Sequence, residues 1–314
     1  MLKIYNTDLE VNTFNVVKKY KKGSWINLVN PSEEEIKEVC ENVKIQEDFI
    51  RYSLDNEEKS RIEIEEEDKT IFIIIDVPIM GKDNGEDIHT TMPLGMIVVR
   101  DDFFITVSLK EIPMIKDLEK SKNPITYKKS RMILQIFYKN AEMYLKELKK
   151  IDKEKAIAER ALNNSMKNRE LLKMLSLEKS LVYITTSLKS NELVMEKTMR
   201  GKIIKLYEDD EDILEDAIIE NKQAIEMAKI YSDILSGTMD AYASIISNNL
   251  NIVMKVLTSL TIILAVPTII GSFWGMNVDV PMQNNPLGFY IVVGLAIMIS
   301  IITLVIFKKK DMLS

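Results

Sequence analysis

The sequence predicts an α/β domain, then long stalk helices, then a two-helix C-terminal transmembrane hairpin. Three observations carry this reading. The first 112 residues hold short β-branched runs separated by turn residues. The stretch from 125 to 250 has no proline and is rich in helix formers. The last 60 residues contain two long runs without charge. At 46% apolar and 29% charged over 314 residues, the chain is not disordered.

The α/β domain spans 1–124. Its start, MLKIYNTDLEV, lacks the basic-then-apolar pattern of a signal peptide. Trp25 to Leu28 reads as a short strand. Pro31 and Ser32 open a helix, with Ser32 and Glu35 at capping-box spacing and acidic residues in the first turn. Ile71 to Val77 is a β-branched run, hence a buried strand. Leu94–Val99 and Phe103–Ser108 flank Arg100-Asp101-Asp102, which reads as a hairpin turn. Lys82 to Glu86, KDNGE, reads as a loop.

Residues 125–250 form long helices, including the start of the stalk. No proline lies between Pro124 and Pro267, and Gly201 and Gly237 are the two glycines in that interval. Lys, Glu, Leu, Met and Ala favour helix. Arg200-Gly201 marks a break. Leu171, Leu172, Met174, Leu175, Leu177 and Leu181 have heptad-like spacing that predicts helix-on-helix packing. Most methionines on these helices read as core filler. From Glu208 no stop signal stands before the membrane run. One helix of about 65 residues, on the order of 100 Å, follows from that. A single chain cannot bury such a rod, so the reading implies an oligomer.

The first span is 251–277, the external loop 278–286, the second span 287–307 and the basic tail 308–314. Val256 to Val278 is uncharged, and its apolar part to Trp274 is 19 residues. As a helix that is about 28 Å, close to the hydrocarbon thickness. The second span has 21 uncharged residues. The short connection makes a hairpin with both ends on one side. Lys308, Lys309 and Lys310 mark the cytoplasmic side, while Asp279 is the loop's sole charge. Both termini are therefore expected in the cytoplasm, with the protein in the inner or plasma membrane.

Asn251, Met254, Thr258, Thr261, Ala265, Thr268, Ser272 and Gly275 recur at heptad-like spacing on the first span. Their face is small or hydroxylated. A polar stripe on an apolar helix faces protein or water, not lipid. Small residues allow close helix packing; the same stripe could line an aqueous pore. The outer end favours the pore. Trp274-Gly275-Met276-Asn277 places a glycine at a crowded axis and an amide oxygen at the mouth. A ring of such oxygens suits a hydrated divalent cation, because Mg2+ prefers oxygen and sheds water reluctantly. Neutral oxygens hold the ion weakly enough to release it.

Other classes fit poorly. The net charge of −6 argues against a nucleic-acid partner. The chain has no P-loop, dinucleotide fingerprint or nucleophile elbow, so it does not read as an enzyme. The lone Cys40 and the lone His89 read as structural and exclude a disulfide framework and a histidine-rich metal site.

Gly275-Met276-Asn277 at the end of the first of two C-terminal spans resembles the CorA family of magnesium transporters. The approach from Val253 through Met254, Lys255, Val256 and Leu257 to Thr258 is similar too, as is the ending Phe307-Lys308-Lys309-Lys310. The resemblance covers the whole layout. It implies a homopentameric channel for Mg2+, often with Co2+ or Ni2+ passing also. It implies that Gly275, Met276 and Asn277 form a selectivity filter, with Asn277 contacting the ion. Asn251, Met254, Thr258, Thr261, Ala265, Thr268 and Ser272 then fall on pore-facing positions, with Met254 and Leu257 an apolar constriction. Lys308 to Lys310 become a basic ring at the neck.

The family is also regulated by cytoplasmic Mg2+ between subunits. Asp216 matches one half of that site; Tyr52, with Asp55 one turn on, stands where the other half is normally acidic. Glu208 to Glu220 nevertheless holds eight carboxylates in thirteen residues. Glu63, Glu65, Glu66, Glu67 and Asp68 form a second, solvated acidic group. Two departures stand out: Trp274 replaces the usual Tyr or Phe, and the loop lacks the family's frequent glutamate. Two alternatives remain: a CorA-like Zn2+ transporter coupled to protons, and a non-conducting tethered scaffold.

Overall fold

The computed structural model describes residues 1–8, 13–83, 85–120, 126–165, 168–201, 203–204, 208–281, 285–310 and 312. The boundary expected at 124 and part of the expected loop, 282–284, lie outside the described residues. The chain divides into two compact units, Met1–Ser236 and Gly237–Ser314.

The first unit is built on seven strands: β1 (Leu2–Asp8), β2 (Thr13–Val16), β3 (Ser24–Val29), β4 (Arg61–Glu65), β5 (Thr70–Asp83), β6 (Glu86–Val99) and β7 (Phe103–Ser108). Their order is β2-β1-β3-β7-β6-β5-β4. Pairing is antiparallel except between β3 and β7. Helices α1 (Glu33–Val43) and α2 (Glu47–Tyr52) cover one face. The other face carries α3 (Pro113–Lys120), α4 (Lys129–Ser165), α5 (Asn168–Gly201) and the start of α6 (Glu208–Trp274).

Two covered faces explain the unbroken apolar run in β5. Phe72 and Ile74 point into the α1–α2 core, while Ile73, Ile75 and Val77 point into the α3–α6 core. Side chains alternate at period two, so a strand buried on both faces needs apolar residues throughout. Trp25 is fully buried, and its indole N–H donates to Thr106 Oγ1 at 2.9 Å. That hydroxyl donates to Asn27 Oδ1 at 2.9 Å, and Asn27 Nδ2 reaches Glu119 on α3 at 2.9 Å.

The end of β4 shapes the helix docking. Its pairing with β5 stops at Arg61 opposite Ile74, so Asp76 lies past its end. The helices supply what the ladder lacks. The Asp76 carbonyl accepts from Asn140 Nδ2 at 2.8 Å, Tyr144 Oη at 3.1 Å and Asn191 Nδ2 at 2.8 Å. The Asp76 N–H donates to Asn191 Oδ1 at 2.9 Å. Burial pushes the Asp76 carboxyl above its ordinary range, with Ser187 and Ser60 opposing the shift. One gap in the sheet thus pins α4 and α5.

Several expectations hold. Ser32 and Glu35 form the capping box, at 3.2 and 3.0 Å. Helix α5 ends at Gly201, and α6 runs 67 residues without a break. On the long helices Met132, Met174 and Met195 are buried, Met143, Met227 and Met239 are partly covered, and Met199 is exposed. Arg100 and Asp101 take positive φ in the β6–β7 turn, which suits the twist of a hairpin.

Others need correction. KDNGE is not an open loop: β5 continues to Asp83 and β6 begins at Glu86, so strand pairing runs to the tip. Only Asn84 there lies outside the described residues. Of the heptad-like set on α5, Met174, Leu177 and Leu181 are buried, but Leu172 and Leu175 are exposed. The helix packs along a narrower face than that set implies.

Gly95 marks a close approach. A Cβ there would lie 1.8 Å from Ser53 Oγ and 2.5 Å from Ser53 Cβ. Gly95→Ala must push the end of α2 off the sheet, at a cost of about 1–3 kcal/mol for overpacking. Thermal unfolding of the full chain in micelles should show a lower midpoint, and adding Ser53→Gly should recover part of it.

Candidate functional site

Helix α6 and helix α7 (Gly288–Lys309) are each long and apolar enough to cross a membrane. The second unit contains the end of α6, the connection and α7. Helices are the open-ended elements that satisfy their own backbone in hydrocarbon.

Each helix of this pair is covered along one stripe. On α6 the covered residue is Ser259, whose hydroxyl donates to the Met312 carbonyl at 3.1 Å. Partly covered Ile263, Val266, Ile270 and Trp274 continue the same face, at steps of three and four. On α7 the matching stripe is Gly288, Val292, Ala296, Ile299, Thr303 and Phe307.

The sequence-predicted stripe lies elsewhere. At 3.6 residues per turn, Met254, Thr258, Thr261, Ala265, Thr268 and Ser272 centre roughly half a turn round α6 from Ser259. Asn251, Met254, Leu257, Thr258, Thr261, Thr268 and Ser272 are exposed, and Ala265 is partly covered. The stripe is therefore not the seam of the hairpin. The small and hydroxylated residues of this stripe do not pack against α7 within this chain.

The hydroxyls have a defined polarity. Thr261 Oγ1 donates to the Leu257 carbonyl at 2.8 Å, and Thr268 Oγ1 to the Leu264 carbonyl at 3.0 Å. With the hydrogen spent inside the helix, each oxygen offers only lone pairs outward. Such a surface accepts hydrogen bonds from water, including water bound to a cation.

At the C-terminal end of α6 Gly275 closes the helix through its N–H to the Gly271 carbonyl at 2.9 Å. A Cβ there would meet that carbonyl at 3.2 Å. Met276 and Asn277 follow in the exposed turn. Trp274 ties this turn down: its indole N–H donates to the Pro281 carbonyl at 3.1 Å. Sequence reasoning did not find this bond, because nothing in the spacing of Trp274 and Pro281 signals it. Lys308 and Lys309 end α7, and Lys310 caps it through its N–H to the Ile306 carbonyl at 3.1 Å. All three are exposed.

Asp216 sits in the first unit. It lines a cavity of about 420 Å³ with Asp117, Leu118, Gln135, Tyr138, Lys139 and Ile213. The phenol of Tyr138 is pushed up by Glu142, then by burial, Glu220 and Asp216. Tyr52 belongs to a different surface, 6.4 Å from the Phe72 ring and under the Arg61 guanidinium at 5.1 Å. Within one chain these expected partners do not meet. In the acidic run, Asp210 is buried, 3.6 Å from Arg131 Nε. Glu211, Asp212, Glu215 and Asp216 are exposed. The side chains of Glu208 and Asp209 lie outside the description.

Fold and helix pair together define a membrane protein with an α/β domain and two C-terminal spans. Residues 20–309 match the family described as CorA-like Mg2+ transporter protein, and the chain belongs to that family. It is 30% identical over 297 residues to the cobalt/magnesium transport protein CorA of Methanocaldococcus jannaschii, covering 91% of this chain and 90% of the relative. It is 33% identical over 148 residues to the protein of that name from Thermotoga maritima, covering 43% and 42% of the two chains. The complete structure of the M. jannaschii transporter aligns with a TM-score of 0.84 at 26% identity, over 98% of this chain and 97% of that one. Membership places the chain among transporters rather than enzymes.

Trp274→Phe keeps the ring and deletes the donor to Pro281. A net hydrogen bond of about 1 kcal/mol corresponds to about fivefold in local opening. Amide exchange across 275–281 should quicken by that factor, with exchange in β5 and β6 unchanged.

Proposed function

We propose that the chain carries Mg2+, and Co2+ as its relatives' names indicate, through a homopentameric channel. The observation that carries the reading is the acceptor stripe on α6, turned away from the hairpin seam and ending at Gly275-Met276-Asn277. The seam occupies one face with α7, so the stripe is free to meet copies of itself round an axis. Asn251, Met254, Leu257, Thr258, Thr261, Ala265, Thr268 and Ser272 then line the pore. Met254 and Leu257 form its apolar constriction. Gly275, Met276 and Asn277 form the filter.

A hydrated Mg2+ presents donors outward, and outward lone pairs match them. Asn277 adds one amide oxygen per subunit at the mouth. Lys308, Lys309 and Lys310 support a cytoplasmic tail, because lysines flanking a span favour that side. The first unit and both termini lie there also, and the turn after Asn277 faces out.

Flux into proteoliposomes tests the pathway. Mg2+ entry should follow the membrane potential. Asn277→Ala removes one acceptor per subunit, each worth about 1 kcal/mol, and flux should fall by an order of magnitude or more. Zn2+ movement tied to a pH gradient, without Mg2+ flux, would instead assign the zinc-transporting relative. Silence for every ion would leave a tethered scaffold.

Gating is proposed to use the acidic face around Asp216. Crowded carboxylates repel, and a divalent ion between subunits relieves that repulsion. Mg2+ held there would keep the pore closed. Limited proteolysis of the full chain should slow when Mg2+ is added, and Asp216→Ala should reduce that protection. Protection indifferent to Mg2+ would remove the gating proposal and leave the pathway standing.

A further inference from the structure

The lone histidine is not an ordinary core residue. His89 lies on β6 and is 2% exposed. Its Nδ1 is 2.8 Å from Glu147 Oε1 on α4. Its Nε2 has no hydrogen-bond partner among the described residues. The nearest charged oxygen to that nitrogen is Glu154 Oε1, at 3.4 Å and two turns along α4. Glu154 in turn lines a polar cavity of about 760 Å³, with Met80, Gly85, Asp87, Arg169, Glu170, Lys173 and Ser176. A buried nitrogen without a hydrogen bond among the described residues thus lies beside a carboxylate that itself lines an open cleft.

We propose that His89 Nε2 and Glu154 bind a divalent transition-metal ion, of the Co2+, Ni2+ or Zn2+ class, between them. Two ligands on a tetrahedral ion at about 2.0–2.1 Å stand roughly 3.4 Å apart, which is the separation present. Glu147 fills the outer role: a carboxylate on the far ring nitrogen fixes the tautomer and raises ligand basicity. The His89 hydrogen bond, with Lys150 beside it, holds the Glu147 carboxyl below its usual range, so it remains an acceptor. Among the described residues no three His, Cys, Asp or Glu side chains are gathered as a full ligand set. Water therefore completes the shell. Asp87 falls on the same face of β6, two residues from His89, and opens on the same cleft.

The donor set selects the class of ion. Imidazole suits Zn2+, Ni2+ and Co2+, whereas Mg2+ favours oxygen and an octahedral water shell. The site therefore distinguishes Co2+ from Mg2+ by chemistry rather than by size. It stands independently of the pore reading, because none of its residues is on the proposed pathway.

The test is Co2+ titration of the full chain in micelles, in excess Mg2+ to occupy oxygen-only sites, read by visible ligand-field absorption. The expected result is one saturable, intense low-symmetry band per chain. Glu154→Gln and His89→Gln should abolish it, and Glu147→Gln should weaken affinity by about 10–100-fold. Because His89→Gln can disturb the core, the partly exposed Glu154→Gln carries the decision, with its unfolding midpoint measured alongside. No band, or a band unchanged in a folded Glu154→Gln, would overturn the proposal. So would a stability that depends on pH through His89 without Co2+ binding, which would reduce the cluster to an ion pair.

Discussion

Backbone polar groups in hydrocarbon have no water to turn to, and this constraint organises the chain's C-terminal third. Each N–H and C=O must be paired within its own segment. The constraint keeps α6 helical through the apolar run, even across Pro267. It also leaves side chains as the sole means of distinguishing one face from another. Helix α6 uses that means fully. One face, through Ser259, Ile263, Val266, Ile270 and Trp274, is covered within the hairpin. The opposite face carries Thr258, Thr261, Thr268 and Ser272, all exposed.

The first unit solves a different problem with similar economy. The sheet must still satisfy the backbone of Asp76, which lies past the point where β4 stops pairing at Arg61. Asn140, Tyr144 and Asn191 converge on the Asp76 carbonyl and satisfy it. Polar groups that look misplaced in helical cores are therefore the fixings that orient α4 and α5. Asn191 anchors α5 by bonding both backbone groups of Asp76 and the hydroxyl of Ser60.

Much of this was legible in the residues. Ser32 with Glu35, Gly201 and the charge-free runs each act locally, so their consequences survive without knowledge of the fold. Strands β1, β2 and β4 were missed for a physical reason. Edge or near-edge strands bury less of their surface, so Lys3, Asn6, Glu63 and Glu65 interrupt the apolar signal. Leu172 and Leu175 misled because heptad spacing specifies a face only to within a turn. The acceptor face of α6 was legible from spacing, but its relation to the Ser259 seam needed the second helix in place. The bond from Trp274 to Pro281 depends on the path of a turn, and the meeting of His89 with Glu154 depends on how α4 lies over β6. Neither leaves a trace in linear order.

The bonds made by Thr261 and Thr268 bear on a particle far smaller than Mg2+. Protons travel along hydroxyls and water by hopping, and each relay point must accept one hydrogen while releasing another. A threonine whose hydrogen is held by the carbonyl one turn back cannot release it without breaking that bond. Thr261 and Thr268 are therefore poor relays for protons, although each keeps its oxygen available to water.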